Sequence, residues 1–331
     1  MRGVLPIVVV VAALAAVPSF VHSNVVLNFL VVTLMIALAG QGWNVLGGYG
    51  GQYSFGHAAF FGTGAYATAI LQTRYGVNAW VGFAAGIAAG AAVGAIIGGL
   101  AFRAGLRSSY FALVTLAFAE VLRILASVAP ITGAGVGILI KLDMRAQSFQ
   151  FQSRAIFYFV ILALVAITLV IMQLIERSRF GAWLIAVREN EDAAAALGVD
   201  ATAVKLRAIV LSAAITAAAG CFYAQYFLFV DSGIGYGTWI SIEALLTPII
   251  GGVGTVFGAL LGALVVRSLG EGAKLFTGDV PGLDLMIYGA VLVLVIRFAP
   301  RGLVGALVDM REYVKRRIVG SPSAAAEAAH G

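Results

Sequence analysis

Residues 244–266 read ALLTPIIGGVGTVFGALLGALVV, 23 residues without a charge, with Gly251-Gly252-Val253-Gly254 near their centre. That length suits one membrane-spanning helix, which needs about 20 apolar residues. Counted as a single span, however, it strands the basic tail Arg311-Glu312-Tyr313-Val314-Lys315-Arg316-Arg317 across the membrane from the other basic loops. The stretch is therefore expected to turn back at its glycines, as two short segments or a re-entrant pair, because glycine accepts the backbone angles of a tight reversal.

Further uncharged runs surround it: Val4 to Val21, Val25 to Leu46, His57 to Gln72, Gly76 to Phe102, Ser108 to Ala129, Phe157 to Ile175, Ala208 to Val230 and Leu285 to Ile296, interrupted only by Glu120 and Arg123. Of the 331 residues 61% are hydrophobic and 11% charged, against roughly half and a quarter in soluble domains. The composition excludes an ordinary soluble enzyme and a disordered chain, and predicts an all-α polytopic membrane protein. About ten membrane segments are expected, as eight full spans plus the broken pair. The first run, after Arg2, fits either a cleaved signal peptide ending near Val21-His22-Ser23 or the first arm of an uncleaved helical hairpin.

Orientation follows from basic residues, which mark cytoplasmic loops. Arg103 and Arg107, then Arg177, Arg179, Arg188, Lys205 and Arg207, then Arg301 and the basic tail follow the fourth, sixth and last runs. All three groups face the cytoplasm if both termini do. The loop 130–153, with Lys141, Arg145 and Arg154, then lies outside and fits the charge rule imperfectly. Residues 1–300 form the membrane domain, with 176–207 as a cytoplasmic loop within it. Residues 301–331 form a basic cytoplasmic tail with a frayed, Ala-rich end. The net charge of +6 is dispersed between apolar runs, so it is topogenic and does not point to nucleic acid. Cys221, the single cysteine, and His22, His57 and His330 make no metal-ligand pattern.

A second break, Gly47-Gly48-Tyr49-Gly50-Gly51, precedes Gln52-Tyr53-Ser54-Phe55-Gly56-His57. Interrupted segments in both halves of a membrane chain point to a transport pathway, because unwound backbone and half-helix N-termini can face an anionic group at membrane depth. Close helix packing is the other role open to Gly47, Gly48, Gly50, Gly51, Gly251, Gly252 and Gly254, and it is the favoured one for the ladder Gly82, Gly86, Gly90, Gly94. Ser54 and His57 border the first break, His57 as a packed, hydrogen-bonded neutral imidazole in preference to a proton relay. Glu120 sits mid-run, where a lone charge costs roughly 2.5 to 3.5 kcal/mol. It either pairs with Arg123 one turn on, facing the bundle interior, or serves a pathway or gate. Glu243 opens the broken segment nearer the outer interface.

The loop Glu176 to Arg207 contains Gly181-AWLIAVRENEDAAAAL-Gly198, which reads as a short helix with acidic residues toward its start and Gly198 as its stop. A surface helix between two spans suits docking of another protein. Asp192-Ala193-Ala194, three residues, then Gly198 resembles the EAA loop through which permeases of ABC importers touch their ATPases, with aspartate in place of glutamate. The ATPase-contacting residues would be Gly181, Arg188, Glu189, Glu191, Asp192, Ala193, Ala194 and Gly198.

Together with 51–66 (GQYSFGHAAFFGTGAY), 110–123 (YFALVTLAFAEVLR), 178–181 (SRFG) and 300–305 (PRGLVG), this loop resembles the LivM-type permeases of branched-chain amino acid ABC importers over nearly the whole chain. The resemblance implies a bacterial inner-membrane protein with a second, LivH-like permease, two ATP-binding subunits and an external or periplasmic solute-binding protein as partners. ATP and Mg would be bound on the partner ATPases and no cofactor by this chain, which contains no Gly-Lys-Ser or Gly-Lys-Thr of a P-loop. The wider family includes permeases for urea, amides and aromatic acids. A proton-coupled transporter using Glu120 or Glu243 is the alternative class. A membrane enzyme finds no supporting His cluster, paired carboxylates or nucleophile motif.

Overall fold

The computed structural model describes residues 4–21 and 23–277, together with 286–287, 289–290, 293, 297 and 302–305. The expectations for His22, His330, most of the last apolar run and nearly all of the tail 301–331 fall outside the described residues. The chain forms α1 (Leu5–Phe20), α2 (Asn24–Trp43), α3 (His57–Tyr75), α4 (Ala79–Arg103), α5 (Ser108–Val128), α6 (Arg154–Arg177), α7 (Arg179–Glu189), α8 (Glu191–Ala196), α9 (Ala201–Phe227), α10 (Ser232–Gly235), α11 (Thr238–Gly251) and α12 (Gly258–Thr277). Among the described residues, 24–49, 79–103, 109–128, 154–177 and 201–227 are long and apolar enough to cross a membrane, and α1 is apolar but shorter. The chain is a multi-pass membrane protein.

Small residues decide the packing. With lipid outside, association of helices depends on close van der Waals approach, which glycine and alanine allow. A methyl group on Gly90 or Gly94 would strike Ala217 or Ala213 of α9, one on Gly98 would strike Ile209, and one on Gly86 would meet Cys221 and Thr68. On the other flank of α9, Gly220 presses on the backbone of Phe61 and Gly64 on that of Ala217. The ladder is thus a packing device that seats α4 against the centrally placed α9, with α3 and α2 also against it. Cys221 is buried at this seam.

The reversal expected within 244–266 is present. Thr247 faces Gly262, Gly251 faces Gly258, and Glu243 ion-pairs with Arg267 at 3.6 Å, so α11 and α12 form an antiparallel hairpin. Gly252, at φ +140°, makes the turn in a conformation that side chains resist. The 14 residues of α11 reach only about 21 Å, so this arm is shorter than the bilayer core.

Three expectations need correction. Loop 181–198 is two helices, because Asn190 is extended and its side chain caps α8 by accepting from Ala193 N. The first glycine break begins later than Gly47: α2 continues as a π-helical turn over Asn44–Tyr49, and the irregular segment is 50–56. The all-α class holds, with one short ladder between loops in which β1 (Ile138–Leu139) pairs antiparallel with β2 (Phe229–Val230). Glu243 is buried against α12, where it pairs with Arg267. Glu120 and Arg123 do pair, Nε to Oε2 at 2.9 Å, but their side chains are 42% and 36% exposed in the isolated chain and do not face its interior.

Candidate functional site

A helix ending inside a membrane protein leaves backbone donors and acceptors that need partners. At the α11–α12 turn α2 supplies them. Asn44 Oδ1 accepts from Gly254 N at 2.8 Å while its Nδ2 donates to Thr255 O at 2.9 Å, and Gln41 Nε2 donates to Val256 O at 2.7 Å. A carboxamide carries both a donor and an acceptor, so one Asn can satisfy both sides of a broken strand of peptide groups. Gln41 and Asn44, one turn apart and fully buried, were missed from the sequence. Their signal was available: two amides at i and i+3 in an otherwise apolar run.

These bonds bring the two glycine breaks together. A Cβ on Gly48 would lie 2.8 Å from Gly254 N, and one on Gly254 would lie 3.4 Å from Gly48 O. Gly302 and Val304 seat on the far side of the same turn, against Gly252. Gly47 packs on the ring of Trp43, and Gly50 lies against Leu46 O and Leu184. The peptide N–H groups of Gly50, Gln52, Gly252 and Gly254 are all engaged within the chain.

Arg188 reaches into this junction from α7. Its Nη1 donates to Gly48 O at 3.0 Å and stands 3.6 Å from a Cβ placed on Gly254, while its stem covers Gly51. The other edge of the guanidinium is held by Glu189 at 2.7 Å. One side chain thereby links the loop helix to both breaks. Tyr49 adds a second tie, its hydroxyl donating to Glu176 Oε1 at 2.7 Å.

The segment after the first break is fixed from three sides. Ser54 O accepts from Trp43 Nε1 at 2.9 Å, Ser54 Oγ accepts from Gly56 N at 3.2 Å, and Gly56 packs on Thr115 of α5. Ser241 of α11 accepts from Ala58 N in the first turn of α3. His57 is buried, with Nε2 2.9 Å from Ser212 Oγ and its ring edge-on to Phe60. It is the packed, hydrogen-bonded imidazole anticipated. Glu120 and Arg123 lie apart from this junction on α5, and the Glu243–Arg267 pair lies up the hairpin from it.

The loop helices are anchored on one side and open on the other. Ser178 caps α7 by accepting from Gly181 N, and Gly181 sits on Ile175 O. Glu191 pairs with Lys205 at 2.6 Å and Arg107 at 3.5 Å, while Asp192 pairs with Arg107 at 3.1 Å. The Asp192 hydrogen bond and the Glu191 charge hold the Arg107 guanidinium above its ordinary pKa. Ala194 is buried, Gly198 closes α8 at φ +85°, and Leu197 between them is 87% exposed. Trp183 and Ile185 of α7 are exposed as well. An apolar face on a charged loop fits a protein contact.

Residues 25–296 match the family described as branched-chain amino acid transport system / permease component. The chain is 29% identical over 319 residues to the high-affinity branched-chain amino acid transport system permease protein LivM of Escherichia coli K12, covering 89% of this chain and 73% of that one. The LivM of Salmonella typhimurium is 28% identical over 308 residues, covering 86% and 71%. Escherichia coli K12 LivH, a permease protein of the same named system, is 28% identical over 144 residues, 44% of each chain. No solved structure matches the chain.

Proposed function

Because the chain belongs to the permease-component family of branched-chain amino acid transport systems, we propose that it is a membrane-spanning permease subunit of an ATP-driven importer for leucine-, isoleucine- or valine-like amino acids. It works in the bacterial inner membrane beside a second, LivH-like permease. One of two ATP-binding subunits docks on α7 and α8, and an external solute-binding protein delivers the cargo. ATP and Mg reside on the ATP-binding subunits, and this chain binds no cofactor. Both termini lie in the cytoplasm, residues 1–300 form the membrane domain with about ten segments, and 301–331 form a basic tail.

The observation that supports this assignment is the position of Arg188. A helix exposed on one face and, on the other, hydrogen-bonded to Gly48 and bordering Gly254 can convert partner motion into movement of the hairpin turn. Gly47, Gly48, Gly50, Gly51, Gly251, Gly252 and Gly254 form the articulated part of the path, with Ser54 and His57 fixing the start of α3. Such a junction, packed to contact distance, supports two discrete arrangements better than gradual bending. The two intramembrane acids are each engaged by an arginine, Glu120 by Arg123 and Glu243 by Arg267, which favours structural roles for them over proton coupling.

The direct test is gentle solubilisation of native membranes, capture of this chain and mass spectrometry of what stays bound. An ATP-binding subunit together with a second permease is expected. Recovery of this chain alone, under crosslinking that preserves other complexes, would overturn the assignment.

A further inference from the structure

Helix α5 turns one face into the bundle and leaves the opposite one open. Phe111 stacks on Phe102 of α4, Thr115 packs on Gly56, and Ala119 is buried. On the far side Leu113, Ala117, Val121 and Ile124 are exposed, and their spacing puts them with Glu120 on one helical stripe. Glu120 stands about 18 Å along the roughly 31 Å of this helix (Ser108–Val128). At that depth a charged side chain turned toward hydrocarbon is costly. The half-exposed Glu120 and Arg123 therefore mark a face that meets polar matter and not lipid.

The pair also has bonding capacity to spare. Arg123 spends one edge of its guanidinium on Glu120, with Nε donating to Oε2 at 2.9 Å and Nη2 to Oε1. A guanidinium carries five N–H donors in a planar fork. Its outer edge, at Nη1 and the second Nη2 hydrogen, meets no acceptor among the described residues. The Glu120 oxygens likewise keep lone pairs for a further donor. Paired with Arg123, Glu120 is no proton carrier, yet it can still accept from an ammonium group. A second carboxylate fits the open guanidinium edge in the same bidentate manner as the first.

We propose that Glu120 and Arg123 form a recognition site for the zwitterionic head of an α-amino acid in transit, its carboxylate on Arg123, its ammonium on Glu120 and its aliphatic side chain against Ala117, Val121 and Ile124. The inference rests on the importer assignment above and narrows its cargo. Urea and amides carry neither charge, and an aromatic acid carries only one.

The test uses the complete transporter in nanodiscs, nucleotide-free and ATP-bound, with Val121→Cys as a reporter. Val121 is exposed and Cys221 buried, so a maleimide reads position 121 on this chain. Leucine should slow the labelling in at least one of the two states. 4-Methylpentanoate and 3-methylbutylamine, which keep the aliphatic chain but lack the ammonium or the carboxylate, should not. With Glu120→Gln or Arg123→Gln added, the leucine concentration for half-protection should rise at least about ten-fold. Arg123→Lys, which keeps the charge without the fork, should fall between and carries the comparison if the glutamine variants do not assemble. Labelling that ignores leucine in both states, as a lipid-facing or permanently covered stripe would give, would overturn the site. So would equal protection by the two single-charge analogues, or unaltered protection in the assembled variants. Leucine uptake by the unaltered transporter with its binding protein reads the importer assignment separately: uptake without protection removes the site alone, and no uptake removes the assignment and this inference with it.

Discussion

Arg188 donates through Nη1 to the carbonyl of Gly48 at 3.0 Å, so a helix outside the bundle is bonded to the end of a helix inside it. The same guanidinium borders Gly254, where the α11–α12 hairpin reverses. The sequence places these three residues up to 206 positions apart, and the fold makes them neighbours.

The clamp on the turn can be removed without touching Arg188. Asn44→Leu deletes the acceptor for Gly254 N and the donor to Thr255 O, leaving both backbone groups unpartnered in a partly buried place. Each such group costs about 1–3 kcal/mol. Thermal unfolding in detergent should occur several degrees lower than for the unaltered chain, and Asn44→Gln, which keeps the chemistry but not the reach, should fall between. An unchanged melting temperature for Asn44→Leu would show that the turn holds itself.

The glycine ladder offers a paired test of packing. Gly90→Val forces a branched side chain into Ala217, whereas Gly99 has open space where its Cβ would stand. Gly90→Val should abolish accumulation of folded protein, and Gly99→Ala should leave it unchanged, since overpacking typically costs about 1–3 kcal/mol per site. Fluorescence-detected size-exclusion chromatography reads both.

Leu197 and Gly198 test the outer face of the coupling loop. Leu197→Asp changes an exposed side chain and should leave the fold intact while reducing capture of the ATP-binding subunit at least about ten-fold, as loss of an apolar anchor does at interfaces. Gly198→Trp adds backbone strain, because φ is +85° there, and should also uncouple uptake while expression is retained. Normal uptake and assembly in both would remove the docking role from this loop.

Much of this was legible. Runs of apolar residues and Gly251 to Gly254 carried the multi-pass helical class and the hairpin, because length and glycine content act locally. The ion pair Glu120–Arg123 followed from helical spacing, but its exposure did not, since one chain's sequence does not say which face of α5 its neighbours cover. The junction was half legible: both breaks were visible, but their meeting depends on Gln41 and Asn44, whose partners lie 215 and 211 residues away. Asn190, read as part of one helix, breaks it, because an Asn before two acids and a run of alanines caps more readily than it continues.

The outer loop should show a definite pH response. Arg145 and then Ser148 hydrogen-bond Asp143 and hold its carboxyl below the usual range. A depressed folded value means that the stabilisation is present above the ordinary carboxyl value of about 3.9 and fades as pH falls through the lower folded one. The protection of residues 143–150 against hydrogen exchange, corrected for the intrinsic pH dependence of the amide rate, should thus be unchanged from neutral pH to about pH 4, and lower throughout that range in Asp143→Asn. Loosening of this segment already near pH 6 would contradict the pairing.

The most direct measurement compares uptake with ATP hydrolysis in proteoliposomes containing the whole transporter with Arg188→Ala, Arg188→Lys or the unaltered chain. If Arg188 transmits the ATPase motion to the glycine junction, Arg188→Ala should assemble and hydrolyse ATP while uptake falls at least about ten-fold, a change of about 1.4 kcal/mol in coupling. Lysine, which can still donate to Gly48 O but lacks the planar fork, should restore part of it. Uptake per ATP equal to that of the unaltered transporter in Arg188→Ala would contradict the role of this contact.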